Sequence, residues 1–181
     1  VIASRAEFDW IASNLAALLR DGGPPADVAE RLVRANIAIK SDVVARDERE
    51  GGVRKTLNFG HTIGHAIESL SRYAMLHGEC IAAGMVVEAR IAARIGVADA
   101  SLAASIATIL GDAGLPTSVP DSMGAAAILA ATRTDKKARA GAVEYALPSS
   151  LGQMAGADRG FAFAVPDAVV SAALEESRAT L

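Results

Sequence analysis

Residues 54–79 read RKTLNFGHTIGHAIESLSRYAMLHGE and contain all three histidines of this 181-residue chain, His61, His65 and His77. We read residues 61–72 and 79–95 as two helices, the second closed by Gly96, since glycine commonly follows the last helical residue. Random placement would seldom put three histidines within 17 consecutive residues. This stretch therefore predicts a helical region that carries a histidine cluster.

The rest of the chain is predicted to be mainly helical. Phe8, Ile11 and Leu15 recur at helical spacing, and the DGGPP segment ends that helix. The predicted helices cover 7–20, from the proline pair to about Glu50, 102–111, 123–133, and from Pro166 to the C-terminus. Only residues 142–148 and 161–165 have the composition of strands, and both are short. We expect residues 1–181 to form a single mainly α domain with one or two short strands.

The composition excludes several classes of protein. Charged residues interrupt the apolar stretches every few residues, so none is expected to cross a membrane, and no signal peptide is recognisable. The net charge of −3 argues against a broad basic surface for nucleic acid. The single cysteine, Cys80, cannot form an internal disulfide, which is typical of a reducing cytoplasm. We therefore expect a globular cytoplasmic protein.

The histidine spacing indicates a metal site. His61 and His65 are four residues apart, so on a helix they share a face and can reach one ion. His77 lies 12 residues further on, beside Gly78, where a turn can return it to the same point. Neutral imidazole suits Zn²⁺ or a related ion. A zinc site needs another ligand, and the spacing leaves three local candidates open: Glu68, Glu79 and Cys80.

Cationic and amide side chains near the cluster are of the type that binds an anion. Arg54 and Lys55 directly precede the histidines, and Asn58 can donate an amide hydrogen bond. Lys40 lies upstream, seven residues before Asp47 and so on nearly the same helical face. Downstream, the segment TDKKARAG offers two adjacent lysines, Lys136 and Lys137. An anionic ligand is therefore expected close to the metal.

Two blocks of this sequence resemble the signature of the 3-dehydroquinate synthases. They are DEREGGVRKTLNFGHTIGHAIE at 47–68 and LHGECIAAGM at 76–85. The family pattern is an acidic segment, a glycine and an arginine, LNFGHTxGHAIE, and then HGE before a helix of small residues. The blocks span about 40 residues with matched spacing, and the resemblance extends over essentially the whole chain.

The resemblance implies a role for each matching residue. His61 and His77 match the two histidine ligands of Zn²⁺ (or Co²⁺), whereas the spacing alone would have paired His61 with His65. His65 instead matches a histidine that contacts the phosphate side of the substrate and assists proton transfer. The remaining matches bind the substrate or line its site: Lys40, Glu50, Arg54, Asn58, and one of Lys136 and Lys137.

The implied reaction is that of 3-dehydroquinate synthase in the shikimate pathway. This enzyme uses NAD and zinc to convert 3-deoxy-D-arabino-heptulosonate 7-phosphate into 3-dehydroquinate and phosphate. The resemblance also implies a homodimer and a preceding Rossmann-like domain that binds NAD. The chain contains no glycine-rich βαβ unit, and the third zinc ligand, a glutamate, would lie shortly before Val1. We therefore expect the helical half of the enzyme, inactive alone.

Three other interpretations compete with this one. Related sugar-phosphate cyclases, of the 2-deoxy-scyllo-inosose or valiolone type, share the histidine motif, and only Glu79 favours the dehydroquinate branch. Metal-dependent glycerol or alcohol dehydrogenases place histidines similarly but lack the LNFGHTxGHAIE block. The third alternative is a non-catalytic helical module that is retained for zinc binding or assembly.

Overall fold

Helices account for most of the structure, a computed structural model that describes residues 1–134 and 143–178. The helices are α1 (Arg5–Leu18), α2 (Ala26–Arg46), α3 (His61–Leu70), α4 (His77–Arg94), α5 (Ser101–Asp112), α6 (Ala125–Thr134) and α7 (Asp167–Arg178). The strands are β1 (Glu144–Tyr145), β2 (Pro148–Ser150), β3 (Gln153–Met154) and β4 (Phe163–Ala164), and Val53–Asn58 and Ala157–Arg159 form 3₁₀ helices. The predicted mainly α fold is confirmed.

The centre of the fold is α4, which is buried along most of its length and packs against α3, α5 and α7. One core cluster joins α3 and α4 to α6, α7 and the strands, with Ile63, Ile91 and Leu174 fully buried. A second cluster joins Phe59 and Val86 to α5. Each large apolar side chain buried in this way contributes about 1.5–3 kcal/mol to folding.

Glycines bring α3 and α4 into backbone contact. A Cβ atom on Gly84 of α4 would lie 2.2 Å from the carbonyl oxygen of Gly60, which precedes α3. A Cβ on Gly64 of α3 would lie 3.0 Å from the Cα of Ile81. Contacts this short are available only to glycine. The helices α3 and α4 run antiparallel. At Gly64 and Gly84, any residue larger than glycine would force them apart.

The helices α1 and α2 form a much more exposed hairpin. Glu7 is the buried residue of α1 and Val43 that of α2. Arg31 of α2 reaches α1, where it makes two hydrogen bonds of 2.9 and 3.0 Å to the Glu7 carboxylate. The Arg31 guanidinium also lies 3.7 Å from the centroid of the Trp10 ring. Polar and cation–π contacts thus join this hairpin.

The structure corrects the predicted end of α2. We expected this helix to reach about Glu50, but it ends at Arg46. The Asp47 carboxylate accepts hydrogen bonds from the backbone N–H groups of Gly51, Gly52 and Arg54, which folds the chain back into a loop. Asp47 therefore lies beyond the helix rather than on the face that carries Lys40. The Asp47 carboxylate binds backbone N–H groups that follow it in the chain, and the helix therefore ends before the predicted position.

The two predicted strand segments do pair, over fewer residues than expected. Glu144–Tyr145 is antiparallel to Phe163–Ala164. The β2–β3 hairpin and the 3₁₀ helix 53–58 were not predicted, because elements this short carry little sequence periodicity. In the described part of the chain, no helix combines the length and apolar character needed to cross a membrane.

Candidate metal centre

The three histidines converge in the folded chain. His61, His65 and His77 each present one ring nitrogen, and these nitrogens all lie within 4.8 Å of one another. The ring centroids are 5.3 Å apart for His61 and His65, and 5.6 Å apart for His61 and His77. The spacing indicated His61 and His65 as the metal ligands, and the resemblance implied His61 and His77. Because the rings are close together in both pairs, the distances alone do not choose between them.

Two helix starts place the imidazoles. His61 is the first residue of α3, and His65 lies one turn later on the same face. His77 is the first residue of α4, which runs antiparallel to α3. The six residues 71–76 that connect the helices include two non-glycine residues with positive φ, Arg72 at 53° and Tyr73 at 61°. This connection turns the chain sharply enough to bring His77 beside α3.

In two of the histidines, the Nδ1 atom lies within hydrogen-bond distance of an oxygen atom outside the cluster. The Nδ1 of His61 lies 3.2 Å from the carbonyl oxygen of Phe59. The Nδ1 of His77 lies 3.3 Å from Oε2 of Glu68. When Nδ1–H donates to a carbonyl or a carboxylate, the Nε2 lone pair is left to bind a metal, and the ring orientation is fixed. His61 and His77 are thus arranged as metal-binding histidines usually are.

The donor set fits a divalent ion such as Zn²⁺ or Co²⁺. Clustered imidazole nitrogens suit these ions better than they suit Mg²⁺ or Ca²⁺, which prefer oxygen ligands. His61 and His65 are half-buried, and His77 is exposed. The site is therefore open on the side of His77, where a substrate or a ligand from another part of a protein can approach.

The sequence left Glu68, Glu79 and Cys80 as candidates for a further ligand. Within the part of the chain that the structure describes, none of them joins the histidine cluster. Glu68 contacts His77 rather than the common centre. Glu79 accepts a hydrogen bond of 2.9 Å from the backbone N–H of Leu76 and so caps its own helix. Cys80 is fully buried, and burial, with Glu68 and Glu79 nearby, raises the pKa of its thiol. A protonated, buried thiol is a poor zinc ligand.

A buried carboxyl lies beneath the cluster. Glu88 of α4 is fully buried, and its two oxygens accept hydrogen bonds from the backbone N–H groups of Gly60, at 2.6 Å, and Ile63, at 3.1 Å. Burial raises the pKa of Glu88 to about 8, against the lowering effect of these donors. Our sequence reasoning missed this residue. The signal was available, since Glu88 is a lone carboxylate in the apolar run AGMVVEARIA.

The loop after α2 holds two of the expected substrate residues together. The amide of Asn58 donates a hydrogen bond of 2.6 Å to Oε1 of Glu50. Glu50 itself has a φ of 57°, a conformation that costs energy for a residue other than glycine and often occurs at functional sites. Backbone donors, first those of Arg54 and Gly52, hold the pKa of Asp47 below its usual range. Asp47 thereby closes the loop around Glu50.

The expected cationic residues have different surroundings. Arg54 is half-buried, and its Nη1 donates to the carbonyl oxygen of Glu48 at 2.7 Å. Lys55 forms an ion pair of 3.0 Å with Glu144 at the start of β1. Lys40 is exposed on α2, and within the described residues no hydrogen bond or ion pair connects it to the histidines. Lys136 and Lys137 lie outside the described residues.

A cleft of about 310 Å³ opens beside His65. It is bounded by α3 and α6, and its lining includes Thr62, His65, Glu68, Tyr73 and Thr132. Its walls are rich in hydroxyl and carboxylate groups. His65 therefore faces both the histidine cluster and a polar cavity of the size of a small metabolite.

The fold is that of known sugar-phosphate cyclases. It matches a 2-deoxy-scyllo-inosose synthase solved with carbaglucose-6-phosphate, NAD⁺ and Co²⁺ over 97% of this chain and 48% of that chain, with a TM-score of 0.81 and 22% identity. It also matches the 2-epi-5-epi-valiolone synthase ValA from Streptomyces hygroscopicus subsp. jinggangensis 5008, solved with NAD⁺ and Zn²⁺, over 98% of this chain and 47% of that chain, with a TM-score of 0.78 and 17% identity. The chain thus spans about half the length of each.

A family model matches most of the sequence as well. It covers residues 1–138, which include both signature blocks, the three histidines and the loop after α2, and it describes the C-terminal part of 3-dehydroquinate synthase. The matched region extends well beyond the histidine motif, so the match does not depend on that motif alone. The chain therefore belongs to the family of 3-dehydroquinate synthase C-terminal domains.

Proposed function

We propose that this chain is the metal- and substrate-binding half of a 3-dehydroquinate synthase. The observation that carries the proposal is the convergence of His61, His65 and His77, which follow closely in sequence on Asn58 and its hydrogen bond to Glu50. Both parts come from the sequence blocks that resemble this family. The reaction would convert 3-deoxy-D-arabino-heptulosonate 7-phosphate into 3-dehydroquinate with release of phosphate.

His61 and His77 are the proposed ligands of a zinc or cobalt ion. The support is the pair of Nδ1 contacts to Phe59 and Glu68, which orient both rings in the way that is usual for metal-binding histidines. When bound, such an ion polarises a substrate oxygen and lowers the energy of negative charge that develops on it. The protein contributes two rigid helix starts, which hold the imidazoles in place before the substrate arrives.

His65 is proposed to contact the substrate and to move a proton. It is half-buried, it lies on the same face as His61, and it also lines the polar cleft against α6. Imidazole donates and accepts protons near neutral pH, so a ring in this position can exchange a proton with a group in the cleft. In this proposal His65 stays free of the metal while the other two histidines hold it.

The loop after α2 is proposed to bind the anionic and hydroxyl groups of the substrate. The Arg54 guanidinium donates through Nη1 to Glu48, and its other donors can bind a carboxylate or a phosphate. Asn58 and Glu50 are already hydrogen-bonded to each other, which fixes the direction of the amide. Lys40 and either Lys136 or Lys137 would add positive charge. NAD would be bound mainly by a preceding domain. The family resemblance implies that the same domain would supply a glutamate ligand to the metal.

The test uses the complete protein that contains this chain, together with any residues encoded before Val1. We expect phosphate release from the heptulosonate phosphate in the presence of NAD⁺ and Zn²⁺, and loss of that release on addition of EDTA. The variant His77→Ala should lose bound zinc and at least 100-fold in kcat/KM, because it removes a direct ligand. Leu76→Ala is the matched control, since this neighbouring side chain is 72% exposed and should leave turnover unchanged.

The outcomes separate the alternatives. Zinc binding without turnover of the heptulosonate phosphate, but with turnover of a hexose phosphate, would assign the protein to a sister cyclase. Zinc binding with no turnover of either substrate would contradict the proposed reaction and would leave a valiolone-type cyclase, a dehydrogenase, or a module that retains the metal alone. Full activity of His77→Ala would contradict the proposed metal site.

A further inference from the structure

Glu88 is unusual among the residues of α4 because it is a carboxyl group in the most buried part of the fold. It is fully buried, as are Val86, Val87 and Ala89 around it. Burying a carboxyl group costs several kcal/mol unless its oxygens find donors. An apolar residue at this position would avoid that cost, so the contacts that Glu88 makes indicate what it does.

The donors to Glu88 belong to the start of α3. Gly60 is the residue that precedes the helix, and Ile63 is the third residue of its first turn. These are two of the backbone N–H groups that a helix start leaves without an intrahelical partner. Gly60 has no side chain to cap them, and its φ of 82° is a conformation that favours glycine. Glu88 caps α3 from the neighbouring helix instead.

His61 lies between the two residues that Glu88 holds. Its backbone follows directly from Gly60, and its ring points to the cluster with His65 and His77. Glu88 is on α4, the helix that begins with His77, and one turn after Gly84, which contacts the carbonyl oxygen of Gly60. The contacts of Glu88 and Gly84 therefore fix the start of α3 relative to the helix that carries the other proposed ligand.

We propose that Glu88 is a positioning residue for the metal centre: its two oxygens hold the Gly60 and Ile63 amides and thereby direct the His61 imidazole toward the metal. The inference rests on the proposed function only in treating His61 and His77 as metal ligands. It assigns to Glu88 no contact with metal or substrate. What it requires is two acceptor oxygens at a fixed distance, one for each amide.

Replacing Glu88 by Gln tests that requirement when the measurement is made at about pH 9, above the Glu88 pKa of about 8, where both carboxylate oxygens accept. Glutamine has the same shape but only one acceptor oxygen. Its NH₂ group would face a backbone N–H, and the start of α3 would have to shift. In the complete protein we expect the dissociation constant for Co²⁺, measured by titration with the metal alone, to rise by about 10- to 100-fold. The visible absorption bands of the bound Co²⁺ should also change, since they depend on ligand geometry. Glu88→Asp, which is one methylene shorter, should show the same direction of change.

The control is Ile91→Ala on the same helix. Ile91 is fully buried in the core cluster, so this change destabilises the fold by about 2–5 kcal/mol while it retains both Glu88 oxygens. Below its unfolding temperature it should bind Co²⁺ with the affinity and spectrum of the wild type. A double-mutant cycle with His61→Ala completes the test. In that background Glu88→Gln should have little further effect on Co²⁺ affinity, because the ring that Glu88 directs is gone.

Three results would overturn the inference. They are wild-type Co²⁺ affinity and spectrum in Glu88→Gln, an equal loss of affinity in Ile91→Ala, or the absence of Co²⁺ binding by the wild-type protein. If Glu88→Gln does not fold, hydrogen exchange of residues 59–64 in the wild type decides. The Gly60 and Ile63 amides should be among the slowest to exchange, and rapid exchange would refute their capping by Glu88. Because Co²⁺ binding is measured without turnover, failure of the proposed reaction remains a separate result.

Discussion

Two regions of the molecule supply the candidate site, and they are built differently. The α3–α4 pair is held by backbone contacts at Gly60, Gly64 and Gly84 and by a fully buried carboxyl, Glu88. The loop 47–58 is held mainly by polar contacts near the surface, in which one carboxylate, Asp47, accepts three backbone hydrogen bonds. Because close packing leaves little room for movement, we expect the first arrangement to resist small displacements more than the second.

This difference matches the different demands of the two proposed tasks. A metal ion requires its ligands within a few tenths of an ångström, so its histidines benefit from a close-packed platform. A substrate must enter and leave, so the groups that bind it benefit from a segment that can adjust. We therefore expect substitutions in the helix pair to act mainly on metal binding and stability, and substitutions in the loop to act mainly on substrate affinity.

The largest effect is expected from Gly84→Ala. The added Cβ would lie 2.2 Å from the Gly60 carbonyl oxygen and 2.8 Å from the Gly64 nitrogen, so α3 and α4 would have to separate. We expect the free energy of unfolding to fall by about 3 kcal/mol or more, with loss of Co²⁺ binding. Thermal unfolding followed by circular dichroism and a metal titration measure the two effects.

Gly78→Ala is the matched control for that substitution. Gly78 is on the same helix, next to His77, yet a Cβ there would meet no atom within 4 Å. This variant should change stability by no more than about 0.5–1 kcal/mol and should still bind Co²⁺. Equal effects of the two variants would show that the close contact of α3 with α4 is not what holds the histidines.

An intermediate effect is expected from Glu68→Gln, which weakens the hydrogen bond between residue 68 and Nδ1 of His77. Replacing the carboxylate by an amide removes a charge-assisted hydrogen bond to Nδ1, so the affinity for Zn²⁺ should fall by about 10-fold. Competition with a chelator measures that affinity. Glu79→Gln removes the same charge from the neighbouring turn but retains an oxygen that can accept from Leu76. It should leave the affinity nearly unchanged, and a comparable loss there would trace the effect to charge rather than to the contact with His77.

The smallest effect is expected from Asp47→Asn in the loop. Asparagine replaces one of the two acceptor oxygens with a donor, so one part of the turn around Glu50 loosens. We expect KM for the heptulosonate phosphate to rise by about 2- to 10-fold, with kcat and zinc affinity close to those of the wild type. Steady-state kinetics and a metal titration on the complete protein separate these quantities.

Asp42→Asn is the control for the loop variant. Asp42 is an exposed residue of α2 that pairs with Arg46 at 3.3 Å, and its replacement should leave KM unchanged. A fall in zinc affinity in Asp47→Asn would contradict the division between a metal platform and a substrate loop.

The elements with strong apolar periodicity could be predicted from the sequence. The helical segments at 61–72, 79–95 and 102–111 are found within two residues of those bounds. The segments 142–148 and 161–165 each contain a paired strand that is shorter than predicted, Glu144–Tyr145 and Phe163–Ala164. The end of α2 could not be placed in this way. Residues 47–50 are compatible with a helix, and what ends it at Arg46 is the preference of the Asp47 carboxylate for three amides further along the chain.

For the candidate site, the sequence by itself determined which groups are available: three histidines in a short stretch, with an arginine, an amide and carboxylates beside them. Local spacing indicates that His61 and His65 share a helical face, because helical periodicity is a property of neighbouring residues. Only the tertiary structure decided that His77 joins them, that Glu68 is its partner, and that Glu79 and Cys80 are occupied elsewhere. Only the tertiary structure placed Glu88 under the start of α3 as well, 25 and 28 residues from the amides it binds. The physical reason is that contacts between helices depend on the crossing of two packed surfaces, which the periodicity of either helix alone does not specify.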